Sequence, residues 1–90
     1  MASPIALPTI HMNGTGAKSL REQYRAVRLS AKATADALAN ATCNARDFYP
    51  QGPEAFQQAQ ADRREMFRLL QLVEDYAAQW EARAAERLRG

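Results

Sequence analysis

The stretch "CNARDFYPQGP", residues 43–53, decides the fold. Pro50, Gly52 and Pro53 crowd its end, and no regular helix or strand runs through such a cluster. On both sides the apolar residues recur at spacings of three and four. That spacing marks amphipathic helices, because about 3.6 residues make one turn. The chain therefore reads as all-α: a helical hairpin with an extended N-terminal arm.

Upstream of the break, the periodicity predicts a helix over 16–41. Leu20, Tyr24, Val27, Ala31, Ala35 and Leu38 share one of its faces. Thr15 is one candidate cap. Ser19 is another, since Ser19 and Glu22 spell the S-x-x-E capping box. Residues 42–52 are expected to be loop. A second helix is expected over 53–88, with Pro53 in its first turn and Glu54 at its positive end. At ~1.5 Å per residue it would run roughly 54 Å. Its repeat is Phe56, Ala59, Met66, Leu70, Val73, Ala77, Trp80 and Ala84, interrupted by Arg63. Phe67, Leu69, Leu72 and Tyr76 widen the apolar face beyond what one partner helix covers. The second helix also outruns the first. Both features predict a homo-oligomeric helical bundle.

Residues 1–15 read as an arm. Pro4 and Pro8 prevent regular helix, and Asn13-Gly14 marks a turn. Ile5, Leu7, Ile10 and Met12 are apolar, so the arm is expected to lie along the helices as a strap.

Ninety residues make a single domain, marginal without added support. Cys43 is the only cysteine and His11 the only histidine. An internal disulfide is excluded, as is a Cys/His zinc site within one chain. Oligomerisation remains as the support. The opening "MASPIALPTI" lacks a basic leader, and no stretch approaches the ~18 apolar residues of a membrane span. The expectation is a cytoplasmic protein with no membrane contact. Net charge is +2, mild for a protein that coats nucleic acid.

"HMNGTGAKS", residues 11–19, looks at first like a phosphate loop. A Walker loop needs Gly, four residues, then Gly-Lys-Ser/Thr. With Lys18 in the lysine slot, Met12 and Ala17 stand where both glycines belong. The motif fails, though the free N–H groups of a helix beginning here still suit an anion. On a wheel of about 100° per residue, Lys18, Arg21, Arg25, Arg28 and Lys32 fall within roughly 80°, with Tyr24 at the border. Such a row suits a phosphorylated, ring-containing ligand: guanidinium forks take phosphate oxygens, and a tyrosine face stacks on a base. It equally suits a solvated surface paired with Asp62, Glu65, Glu74 and Asp75 of the second helix. Arg46, Asp47 and Tyr49 in the break are a second candidate group: either Asp47 orients Arg46 or caps a short turn while Phe48 and Tyr49 plug the hairpin end, or Arg46 and the aromatics clamp a neighbour's pocket. His11, Asn13 and Thr15 at the arm's turn complete the candidate ligand-binding set. A single histidine builds no Ser-His-Asp or Cys-His constellation, so no enzyme, catalytic residue, metal or cofactor is expected.

"LPTIHMNGT", a basic helix, "NARDFYPQG" and a long helix together resemble small proteins encoded by tailed phages. The layout is also similar to phage anti-defence sponges, helical oligomers that sequester cyclic nucleotide or cyclic ADP-ribose immune signals. In the cyclic-dinucleotide sponges a His-containing arm leads into a helix with a ligand-binding basic residue. A Ser-Arg-Glu loop then leads into a second helix. The resemblance implies comparable places for His11, Lys18 to Lys32 and Arg46. The Tyr-His-Pro-Pro opening of those sponges is absent here, where Ile10 and Met12 flank His11. The function so implied is non-catalytic sequestration of a small phosphorylated nucleotide in the host cytoplasm. The alternatives are a helical scaffold or adaptor that binds partner helices, and weak nucleic-acid binding. As a ligand-binding residue, Arg28 should lose affinity but not stability on replacement by Ala.

Overall fold

The computed structural model describes residues 5–10 and 16–89. Helix α1 spans Ala17–Asn40 and helix α2 spans Pro53–Arg89, with a 3₁₀ helix at Ala45–Gln51 between them. Among the described residues there is no strand, as the periodicity implied.

Gly16 is the N-cap of α1, in extended conformation, and its carbonyl accepts the first helical bond from the Leu20 N–H at 3.0 Å. Ser19 lies inside the first turn and accepts from Gln23 Nε2 at 3.1 Å. The Ser19–Glu22 capping box does not form, because α1 starts three residues earlier than such a box requires. Thr15 lies outside the described residues.

The break at 43–53 is less irregular than loop. Pro50 holds φ near the 3₁₀ value and lies inside the short helix, where its missing N–H costs little. Gly52 ends the turn at φ 96°, donating its N–H to the Phe48 carbonyl at 3.1 Å. That left-handed backbone is what glycine alone adopts freely. Pro53 then opens α2, with Glu54 in its first turn and Arg87 and Arg89 in its last, all matched to the helix dipole.

The two helices run antiparallel: Tyr24 meets Trp80, Arg28 meets Glu81, and the end of α1 meets Arg63. Small residues set the closest approach. Ala77 and Ala84 are 0% exposed and Ala31 is 6% exposed, and no large side chain is fully buried among the described residues. Half-buried Leu20, Tyr24, Leu38, Leu70 and Trp80 flank this seam. The molecule measures 61 × 27 × 18 Å, with a radius of gyration of 18.6 Å. A compact chain of this length would have about 12 Å. A hairpin one helix thick has a seam but no interior.

Arg63 explains its own intrusion into the apolar repeat. The last turn of α1 carries no basic residue. Arg63 Nη2 instead reaches across from α2 and donates to the Leu38 and Ala41 carbonyls, the latter at 3.0 Å. The Leu38 carbonyl also takes the Ala41 N–H at 3.1 Å, so Arg63 adds a second donor to it and places a cation at the negative end of α1. Its guanidinium also lies 5.6 Å from the centre of the Phe67 ring. The part of α2 before Arg63 outruns α1 and is met by the 3₁₀ helix, where Phe48 sits 5.9 Å from Phe56. Part of that overhang is thus covered from within the chain. At the other end, residues 5–10 form neither helix nor strand, and Pro8, Thr9 and Ile10 lie beside Arg83, Glu86 and Arg87.

Candidate functional site

The basic row of α1 divides in two. Arg28 turns onto α2: its Nε and Nη2 donate to the two carboxylate oxygens of Glu81, the Nη2 contact at 3.2 Å. The side chains are 34% and 16% exposed. This hydrogen-bonded contact, and then the charge of Glu81, holds the Arg28 guanidinium above its ordinary pKa. Tyr24 is similarly engaged. Its ring stacks on Trp80 with centroids 4.4 Å apart and meets the edge of Tyr76 at 6.2 Å. Burial, and next Tyr76, pushes its hydroxyl above the usual tyrosine range. One face of the ring proposed to stack on a base is therefore occupied by Trp80. The Trp80 indole N–H is itself sequestered, without a hydrogen-bond partner among the described residues.

Lys18, Arg21, Arg25 and Lys32 stay exposed, without an ion pair among the described residues. The acids expected opposite them are mostly occupied on their own helix. Asp62 accepts from Gln58 at 2.8 Å, Asp75 accepts from Gln71 at 3.0 Å, and Glu65 pairs with Arg68 at 2.6 Å. Of the four, Glu74 adds its charge near Arg28, and the acid that pairs with the row is Glu81, which sequence reasoning missed. Its signal was position: it stands between Ala77 and Ala84 on the buried edge of α2.

Arg46 and Asp47 are exposed on the 3₁₀ helix. Tyr49 is 75% exposed and borders an open apolar pocket with Phe48, Pro53 and Phe56 that Arg46 and Asp47 do not line. From Lys18 to the end of α1 is roughly 33 Å at 1.5 Å per residue. One chain therefore does not bring the two candidate groups together. His11, Asn13 and Thr15 lie outside the described residues.

A further surface feature is apolar. Met66, Leu69, Leu72, Val73 and Tyr76 of α2 and Val27 of α1 are each between 39% and 48% exposed. Leu70 and Val73 form one wall of a shallow groove, and Ala26, Val27, Ser30 and Thr34 form the other. By helical phase this flank of α1 carries Gln23, Val27, Ser30, Thr34 and Ala37, with no charge among them. The cations lie on the opposite flank.

Among the described residues, no cluster of three His, Cys, Asp or Glu side chains is placed to hold a metal ion. No described helix is long and apolar enough to cross a membrane. Compared with family models, curated proteins and solved structures, the chain has no significant match in any of the three.

Proposed function

We propose that this chain is a non-catalytic helical scaffold that works by binding a second copy of itself through the apolar flank of α2 and α1, opposite the basic row. The observation that supports this is the run of large apolar side chains, Val27 and Met66 to Tyr76, left open to water. Continuous apolar surface of this kind is uncommon on monomers and common on interfaces. A seam of alanines contributes little burial, so a second layer is the natural source of stability. Light scattering tests it: the mass should be at least twice that of the 10.0 kDa chain at micromolar concentration. A monomer whose melting temperature ignores concentration would overturn the reading.

A second reading is favoured by the exposed row Lys18, Arg21, Arg25 and Lys32 on the other flank, which has no ion pair among the described residues. There the oligomer holds a small phosphorylated nucleotide, such as a cyclic dinucleotide or cyclic ADP-ribose derivative, as anti-defence sponges do. Calorimetry on a panel of these signals, with chromatography of what is released, separates the readings. Intact ligand recovered from the wild type but not from an Arg21→Ala/Arg25→Ala variant supports sequestration. No binding across the panel leaves the scaffold alone.

A further inference from the structure

The exposed flank of α2 specifies how a second copy lies on it. Met66, Leu69, Val73, Tyr76 and Trp80 alternate steps of three and four, the spacing of a seam between packed helices. The same series continues to Asp62 before Met66 and to Arg83 after Trp80, both exposed. Glu65 at the first end is paired with Arg68, and Pro8 to Ile10 lie beside Arg83 and Arg87 at the other, so Asp62 and Arg83 are the charges that mark the two ends. The flank is thus acidic at one end, basic at the other and apolar between.

We infer that the partner is a second copy laid antiparallel, α2 against α2, with Met66 facing the copy's Tyr76 and Leu69 facing the copy's Val73. This rests on the self-association proposed above and adds its orientation. In that register, Asp62 of each chain lies within about one helical turn of the other's Arg83. Stacked in parallel, Asp62 would face Asp62 and Arg83 would face Arg83. The remaining way to close the faces sets α2 of the copy on α1. That puts Asp62 and Glu65 beside the carbonyl end of α1 and Arg83 beside its amide end, both opposed by the helix dipole. The antiparallel pairing alone satisfies charge at both ends. The small residues of α1, Ala26, Ser30 and Thr34, then face their own counterparts and let the layers close. The available area suits it. The chain exposes 6812 Å². A compact chain of this mass exposes about 5,200 Å², and a standard interface covers about 800 Å² per partner.

The test uses the full chain with Cys43→Ala, so that introduced thiols are unique. Asp62→Cys and Arg83→Cys chains are mixed and treated with a thiol cross-linker spanning about 10 Å, the separation of packed helix axes. The expected result is a cross-linked product in the mixture and none from either variant alone. In the antiparallel dimer the two copies of residue 62 stand roughly 27 Å apart along the axis, at 1.5 Å per residue. A second arm reverses charge: Asp62→Lys and Arg83→Asp should each weaken the dimer by roughly tenfold, and the double variant should restore it. A dimer by mass that cross-links only like with like, or not at all, overturns the orientation and leaves self-association standing. A monomer by mass overturns both.

Discussion

The two flanks of the hairpin differ in what their residues already do. On the charged flank, Arg28 and Arg63 reach across to the opposite helix, while the cations farther from the seam have no ion pair among the described residues. On the apolar flank, the large side chains keep between 39% and 48% of their surface open to water. A helical wheel draws both as stripes. Only one is an unfinished surface, because cations next to a seam find carbonyls and carboxylates within the chain, whereas surplus apolar side chains have none left to meet.

The strongest way to break this contrast is Val73→Asp. In a single hairpin the site is exposed, so the fold should tolerate it. In a dimer it buries a charge among apolar side chains, which costs several kcal/mol. Sedimentation should show the dissociation constant raised by about a hundredfold or more, with helicity retained. An unchanged mass would mean that the flank is ordinary surface.

Ala77→Leu comes next. The residue is 0% exposed where the helices are closest, so added methylenes must push them apart. Overpacking costs about 1–3 kcal/mol. At 4–8 °C per kcal/mol, the thermal midpoint should fall by roughly 5 °C or more.

Arg28→Ala sharpens the contrast within the basic row. It leaves the Glu81 carboxylate half-buried and unpaired, so the protein should melt several degrees lower. Arg25→Ala and Lys32→Ala should scarcely change the melting curve. This reverses the sequence-based expectation for Arg28, and equal melting of all variants would restore it. Arg63→Gln should cost about 1 kcal/mol by uncapping α1, read by urea denaturation.

The smallest effect belongs to Glu65. The hydrogen-bonded contact with Arg68 holds its carboxyl below the usual range. A lowered folded pKa contributes stability above the ordinary glutamate pKa, lost as pH falls through the folded value. Glu65→Gln should therefore differ slightly from wild type at neutral pH and low salt. The difference should vanish as pH falls through the lowered carboxyl pKa of the folded state, and also in 1 M salt, where screening removes exposed pairs.

Much of the fold was legible because helix phase is local. Pro50, Gly52 and Pro53 marked the break, and the spacing of Leu20 to Leu38 and of Met66 to Ala84 marked the apolar faces, on which Ala31, Ala77 and Ala84 are buried and Val27, Met66 and Val73 are exposed. The width of the face between Met66 and Trp80 announced its surplus. Less was legible where a residue's role depends on something distant. The break winds into a 3₁₀ helix because Gly52 turns back to Phe48 and Phe48 packs on Phe56.

By itself, then, the sequence determined that this chain forms two amphipathic helices, that the second carries more apolar surface than the first can cover, and that cations line one flank. Tertiary structure alone decided that Arg28 meets Glu81, that Tyr24 lies on Trp80, and that Arg63 caps α1. The physical reason is that a residue's angle on its helix follows from counting along the chain. Its height and rotation against the other helix follow from how Ala31, Ala77 and Ala84 let the two backbones close, which no local spacing encodes.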